Sequence, residues 1–102
     1  ATTTAASDMA AALAITGNHP NPFNSSTAIA FALGGTAATQ LDIYDLSGRK
    51  VRTLVDTTLD AGQHTVRWNG QDDAGRPLAS GTYVARLRSG GQVTSHKLVL
   101  AK

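Results

Sequence analysis

Two prolines spaced two residues apart constrain this chain more than any other feature: Pro20 and Pro22, within Asn18-His19-Pro20-Asn21-Pro22-Phe23-Asn24. Each lacks a backbone N–H and holds φ near about −65°, so the segment belongs neither in a helix interior nor in a central strand and must form an extended corner. Phe23 is then placed to plug one end of a core. Downstream, short stretches of alternating apolar and polar residues recur with a turn signal about every eight to twelve residues, which is the pattern of a β-sandwich.

Period two assigns the strands and their inward faces. Residues 27–33 carry Ile29, Phe31 and Leu33 on one face, and residues 39–45 carry Leu41 and Ile43. Ser47-Gly48-Arg49 turns the chain into a strand from Val51 to Val55, and Asp60-Ala61-Gly62 turns it again. His64, Val66 and Trp68 share a face of the next strand, and Asn69 to Pro77 reads as a polar hairpin loop. Thr82 to Arg88 sends Tyr83, Ala85 and Leu87 inward, Gly90-Gly91 is a tight turn, and Gln92 to Ala101 closes the sheet. With a strand before the proline corner, the expectation is an all-β, immunoglobulin-like antiparallel sandwich of about seven strands. Its core would hold Phe23, Ile29, Phe31, Leu41, Ile43, Val66, Trp68, Tyr83 and Leu87. The domain is read as residues 18–102, preceded by an extended segment over 1–17.

Composition narrows the function classes. All seven acidic residues are Asp and thirteen residues are Thr, choices that suit turns and strands, whereas a helical domain draws on Glu. The formal net charge is +2 with basic residues dispersed along the strands, so a nucleic-acid surface is not expected. Cysteine is absent, which removes disulfides, thiolate nucleophiles and thiolate metal sites. No apolar run approaches the roughly 20 residues of a membrane-spanning helix, so no membrane insertion is expected. The chain opens on Ala1, which is the appearance of a mature exported chain and equally that of an internal fragment; the expectation is export.

The order of motifs carries a resemblance. The Pro-Asn-Pro-Phe-Asn corner is followed by Leu41-Asp42-Ile43-Tyr44-Asp45-Leu46-Ser47-Gly48-Arg49, then Ala61-Gly62, Trp68-Asn69-Gly70, Asp72-Asp73-Ala74-Gly75-Arg76, Ser80-Gly81-Thr82-Tyr83 and a terminal Lys97-Leu98-Val99-Leu100. Over residues 18–102 this order resembles the C-terminal sorting domains of type IX secretion cargo. That group is similar in pattern to the immunoglobulin-like domain of the flagellar hook-capping protein, which usually lacks this opening and this ending. The resemblance implies export through the periplasm to the surface or exterior of a Gram-negative bacterium. It also implies translocon components as partners, with Gly81, Thr82, Tyr83, Lys97, Leu98, Val99 and Leu100 as the recognition elements.

Catalytic and metal constellations are thin. His19, His64 and His96 have neither the close spacing of a zinc pair nor a nucleophile partner. Asn69 to Gly75 offers several oxygens but fails the twelve-residue calcium-loop pattern and has no downstream Glu. No catalytic residue, metal ligand or cofactor is therefore assigned, and an enzyme is not expected.

Two features depart from the sorting-domain pattern. Ala28, Ala30 and Ala32 occupy outward positions that are usually polar, and Met9, Ala11, Leu13 and Ile15 alternate ahead of the resemblance. A bare alanine face is either tolerated exposure or a surface that another chain covers. Taken together, these seven residues point to a self-assembling exported subunit, a homopolymer in which the N-terminal segment adds as a strand to a neighbouring copy. The alternatives are the sorting signal and, ranked last, a carbohydrate-binding accessory module.

Overall fold

The computed structural model describes residues 13–102. Seven strands form in chain order: β1 (Ala14–His19), β2 (Thr27–Leu33), β3 (Ala37–Asp45), β4 (Lys50–Leu59), β5 (Gly62–Trp68), β6 (Gly81–Ser89) and β7 (Gln92–Leu100). They make two antiparallel sheets, β1-β2-β5 and β4-β3-β6-β7, packed face to face as an immunoglobulin-like sandwich. Met9 and Ala11 lie outside the described residues. β1 straddles position 17, the boundary read from the sequence.

The core follows the inward positions of the alternation. Phe23, Ile29, Phe31, Leu41, Ile43, Trp68, Tyr83 and Leu87 are buried, joined by Leu33, Val51, Val55, Ala85, Leu98 and Leu100. Val66 is only partly buried, because β5 is an edge strand of the smaller sheet. Strict alternation fails in β4. Val51 and Val55 face the core, yet Thr53 lies opposite Asp42, whose neighbours Leu41 and Ile43 both point inward. Two register shifts against β3 resolve the conflict, since each bulge inserts one unpaired residue and resets which face the strand presents.

The segment from Asn69 to Pro77 folds back on itself, with Gln71 bridging Pro77 in antiparallel fashion and the Leu78 amide donating to the Gly70 carbonyl at 2.9 Å, but it does not pair β5 with β6. It leaves β5 in the three-stranded sheet and delivers the chain to β6 in the four-stranded one, so it crosses the sandwich. Its path is set by bonds to β4: the amide of Asp73 donates to the Val51 carbonyl at 3.0 Å, and the Thr53 amide donates to Asp73 Oδ1 at 3.1 Å. These bonds cover part of the β4 edge, and an open strand edge is a template for unwanted pairing.

The proline corner does the same for β7. Phe23 N donates to the Val99 carbonyl at 2.9 Å, Ala101 N donates to the Phe23 carbonyl at 2.8 Å, and Val99 N donates to Asn21 Oδ1 at 3.1 Å. Both proline peptide bonds of the corner are cis. The buried Thr27 hydroxyl donates to the Pro20 carbonyl at 2.8 Å, tying the corner to the start of β2. Phe23 therefore plugs the core and anchors the last strand at once.

Candidate functional site: the outer face of the four-stranded sheet

The two segments that the motif resemblance singles out lie on consecutive strands and are adjacent in space. In the β6–β7 ladder Gly81 pairs with Leu100, Thr82 with Val99, Tyr83 with Leu98 and Val84 with Lys97. Alternation divides them between two roles. Tyr83, Leu98 and Leu100 point into the core and are buried, whereas Thr82 and Val99 are half-buried on the outer face and Lys97 is exposed there. A partner docking on the outside of the sheet can touch the second group and not the first.

Tyr83 belongs to an aromatic cluster at one end of the sandwich. Its ring meets Trp68 edge-on at a centroid separation of 5.4 Å, and Trp68 lies 5.4 Å from Phe23. The Tyr83 hydroxyl donates to the Ala79 carbonyl at 2.6 Å, and the Trp68 indole donates to the Gln71 carbonyl at 2.9 Å. Each ring thus buries its body and satisfies its polar tip on the crossover segment.

Asp42 sits on the outer face and is nevertheless fully buried. Its carboxylate accepts from the Thr53 hydroxyl and from the Gln40 amide, each at 2.9 Å, with an Arg88 guanidinium nitrogen at 3.6 Å. Long neighbours from β3, β4 and β6 close over it, and their donors compensate for the loss of water. The available signal was an acid between the two core positions Leu41 and Ile43.

Two five-residue turns share one design. In Asp45–Arg49 and in Asp72–Arg76, the Asp Oδ1 accepts from the amides of the second and fourth residues that follow. In both, the Asp carbonyl accepts from the glycine amide and the Asp amide donates to the Arg carbonyl. Gly48 and Gly75 take φ of +89° and +82°, values that a side chain would oppose. The arginine closes each turn by pairing with its own aspartate, at 3.5 Å for Arg49 and 3.1 Å for Arg76.

These bonds lower the affinity of both aspartates for protons. The Ser47 hydroxyl and then the Arg49 amide hold Asp45 below the ordinary carboxylate value, and the Arg76 amide is the main cause for Asp72. Burial, followed by the charge of Asp45, pushes the Tyr83 hydroxyl above its ordinary value. Depressed carboxylates contribute stability that is complete above about pH 4 and is lost as pH falls through their folded-state values. A raised tyrosine contributes stability that is complete below about pH 10 and is lost as pH rises through its folded-state value. Denaturation midpoints measured across pH should therefore show a plateau with a decline at each end. Asp45→Asn should flatten the acid limb, and an unchanged acid limb in that variant would remove Asp45 from the account.

The remaining residues singled out from the sequence occupy the other sheet. Ala28, Ala30 and Ala32 lie on the outer face of β2, half-buried between β1 and the side chains of Arg67, Thr65 and Gln63 that stand opposite them on β5. Leu13 and Ile15 pack against the chain's own core. His96 Nε2 lies 3.0 Å from Asn18 Oδ1, joining β7 to β1 across the two sheets, and His64 stacks on Phe31 at 5.5 Å. Among the described residues no three His, Cys, Asp or Glu side chains come together in a group that would hold a metal ion.

Residues 17–92 match the family model of the FlgD Ig-like domain. No curated protein sequence matches the chain. Among solved structures, a similar fold occurs in dimeric latent PorU from Porphyromonas gingivalis, at 19% identity and a TM-score of 0.69 over 86% of this chain and 9% of PorU. A second likeness is to PorZ, described as an essential bacterial surface component of the type IX secretion system of the same organism. It has 20% identity and a TM-score of 0.60 over 84% of this chain and 11% of PorZ. The chain thus spans about a tenth of the length of either protein.

Proposed function

The chain belongs to the family of FlgD Ig-like domains, and from that premise we propose that it is a non-catalytic type IX secretion domain, exported through the periplasm and read or held at the bacterial surface by translocon components. The observation that carries this reading is the likeness of its fold to part of PorZ, a surface component of that system. The motif order from the proline corner to Lys97–Leu100 supports it as well, and the two segments that the resemblance implies for recognition are paired rung by rung on β6 and β7. The same likeness favours this reading over a self-assembling filament subunit. For that alternative, Leu13 and Ile15 are occupied within their own domain, and Met9 and Ala11 fall outside the described residues.

The test is transport. A periplasmic reporter fused ahead of the whole chain, in a cell with type IX secretion, is expected to reach the surface, and to stay periplasmic when the translocon is deleted. The fusion must keep β1, since one that began at residue 18 would cut that strand and discard Ile15. Retention of an intact, folded fusion in the periplasm of the secreting strain would overturn the proposal.

A further inference from the structure

Leu46 and Val93 are the exposed large apolar side chains among the described residues, 73% and 52% accessible. Both line one depression on the outside of the four-stranded sheet, together with Tyr44, Val84, Arg86 and Ser95. They come from the β3–β4 turn and from β7, so the fold and not the sequence brings them together. The register places Tyr44 opposite Val84, Val84 opposite Lys97, and Arg86 opposite Ser95, which makes a strip of apolar surface with cations beside it.

Leu46 supplies none of the bonds that close its turn. The bonds that close each turn come from its Asp, its Gly and its Arg. At the second position the Asp72–Arg76 turn carries Asp73, which seals the β4 edge. The Asp45–Arg49 turn carries Leu46 there and holds it out in water. A lone exposed apolar side chain is ordinary, but Leu46 shares one depression with Tyr44, Val84 and Val93, and a contiguous apolar patch of this kind marks contact with something else.

The charge of the strip is predominantly positive, since the one carboxylate that lines it, Asp45, is already paired with Arg49. Arg86 and Lys97 are exposed beside it and make no ion pair closer than 4.0 Å among the described residues. The nearby carboxylates are already engaged: Asp42 is buried under Gln40, Thr53 and Arg88, and Asp45 is held by Ser47 and Arg49. Asp56, opposite Gln40, is on the far strand of the sheet.

We propose that this face docks a protein segment in which apolar side chains alternate with carboxylates, the apolar groups covering Tyr44, Leu46, Val84 and Val93 while the carboxylates meet Arg86 and Lys97. Charge complementarity selects such a partner and sets its register, and the apolar strip supplies the contact. The inference rests on the surface alone and holds whether or not the domain serves secretion.

The probe is a soluble peptide of about a dozen residues alternating Leu and Glu, titrated into the full chain labelled with nitrogen-15. Amide shifts are expected at Tyr44, Leu46, Val84, Arg86, Val93 and Ser95. Analogues with Lys for Glu or Ser for Leu should bind at least about tenfold more weakly, as should the chain carrying Arg86→Glu with Lys97→Glu. Leu46→Ser should weaken binding without charge change. These positions are exposed, and unchanged Trp68 fluorescence would confirm that the variants stay folded. Shifts scattered over both sheets, or equal binding of the Lys analogue, would overturn the proposal. Binding to phosphatidylglycerol vesicles but not to the peptide would assign the face to a membrane and overturn it too. So would concentration-dependent shifts of the same amides without peptide, which would assign it to a second copy.

Discussion

Trp68→Ala is expected to bring this domain close to unfolding under conditions where the parent chain is stable. The indole is fully buried, packs against Phe23 and Tyr83, and donates to the Gln71 carbonyl that fixes the start of the crossover. Truncating a buried tryptophan costs about 3–5 kcal/mol, against a total of about 5–15 kcal/mol for a domain of this size. The loss should appear as a large fall in the denaturant midpoint, with the slope of the transition preserved. Trp68→Phe separates packing from hydrogen bonding. It keeps most of the buried ring and should lose mainly the bond to Gln71, worth about 1 kcal/mol. An alanine variant with the melting temperature of the parent would place Trp68 outside the core and contradict the fold described above.

Deleting Lys97 to Lys102 is expected to destabilise the domain more severely still, so a transport defect in such a truncation does not by itself report a lost signal. The resemblance suggests the C-terminal segment as a recognition element, so its removal invites interpretation as loss of a signal. The structure gives it a second role. Leu98 and Leu100 are fully or almost fully buried, and each contributes about 1.5–3 kcal/mol by leaving water. The same deletion removes the Val99 carbonyl and Ala101 amide that hold Phe23, and the rungs that pair with Gly81 to Val84. Circular dichroism of the truncated chain should show loss of the cooperative transition. A truncated chain that still melts cooperatively near the parent temperature would show that β7 is dispensable, and only then would a transport defect report recognition by itself. Lys97→Glu and Thr82→Lys, both on the outer face, probe recognition without touching the core.

Most of the fold was legible in the sequence because it depends on short-range rules. The prolines forced a corner at residues 20–22, and period two picked out Ile29, Phe31, Leu41, Ile43, Tyr83 and Leu87, since a residue's face in a strand is set by the parity of its position. The turns at Ser47-Gly48-Arg49 and Gly90-Gly91 were legible for the same reason: a tight turn is specified by the few residues that make it. Parity failed where a bulge intervened. Nothing in Val51 to Val55 announces that the register shifts against β3, so the outward position of Thr53 and its bond to Asp42 could not be read.

What the sequence determined alone was a cysteine-free, seven-stranded sandwich closed at one end by Phe23, because alternation, turn chemistry and proline geometry act over a few neighbouring residues. Which strands share a sheet was decided only in three dimensions. Whether Asn69–Pro77 pairs β5 with β6 or crosses to the other sheet depends on bonds that join Asp73 to Val51 and Thr53, about twenty residues away in the chain. The candidate surface is of the same kind. Leu46, Val84 and Val93 carry no mark in sequence that joins them, and Asp42 looks like any polar residue between core positions. Their meeting on one face, with the carboxylate buried and Arg86 and Lys97 exposed beside them, comes from strand order and register, which long-range pairing sets and local pattern does not.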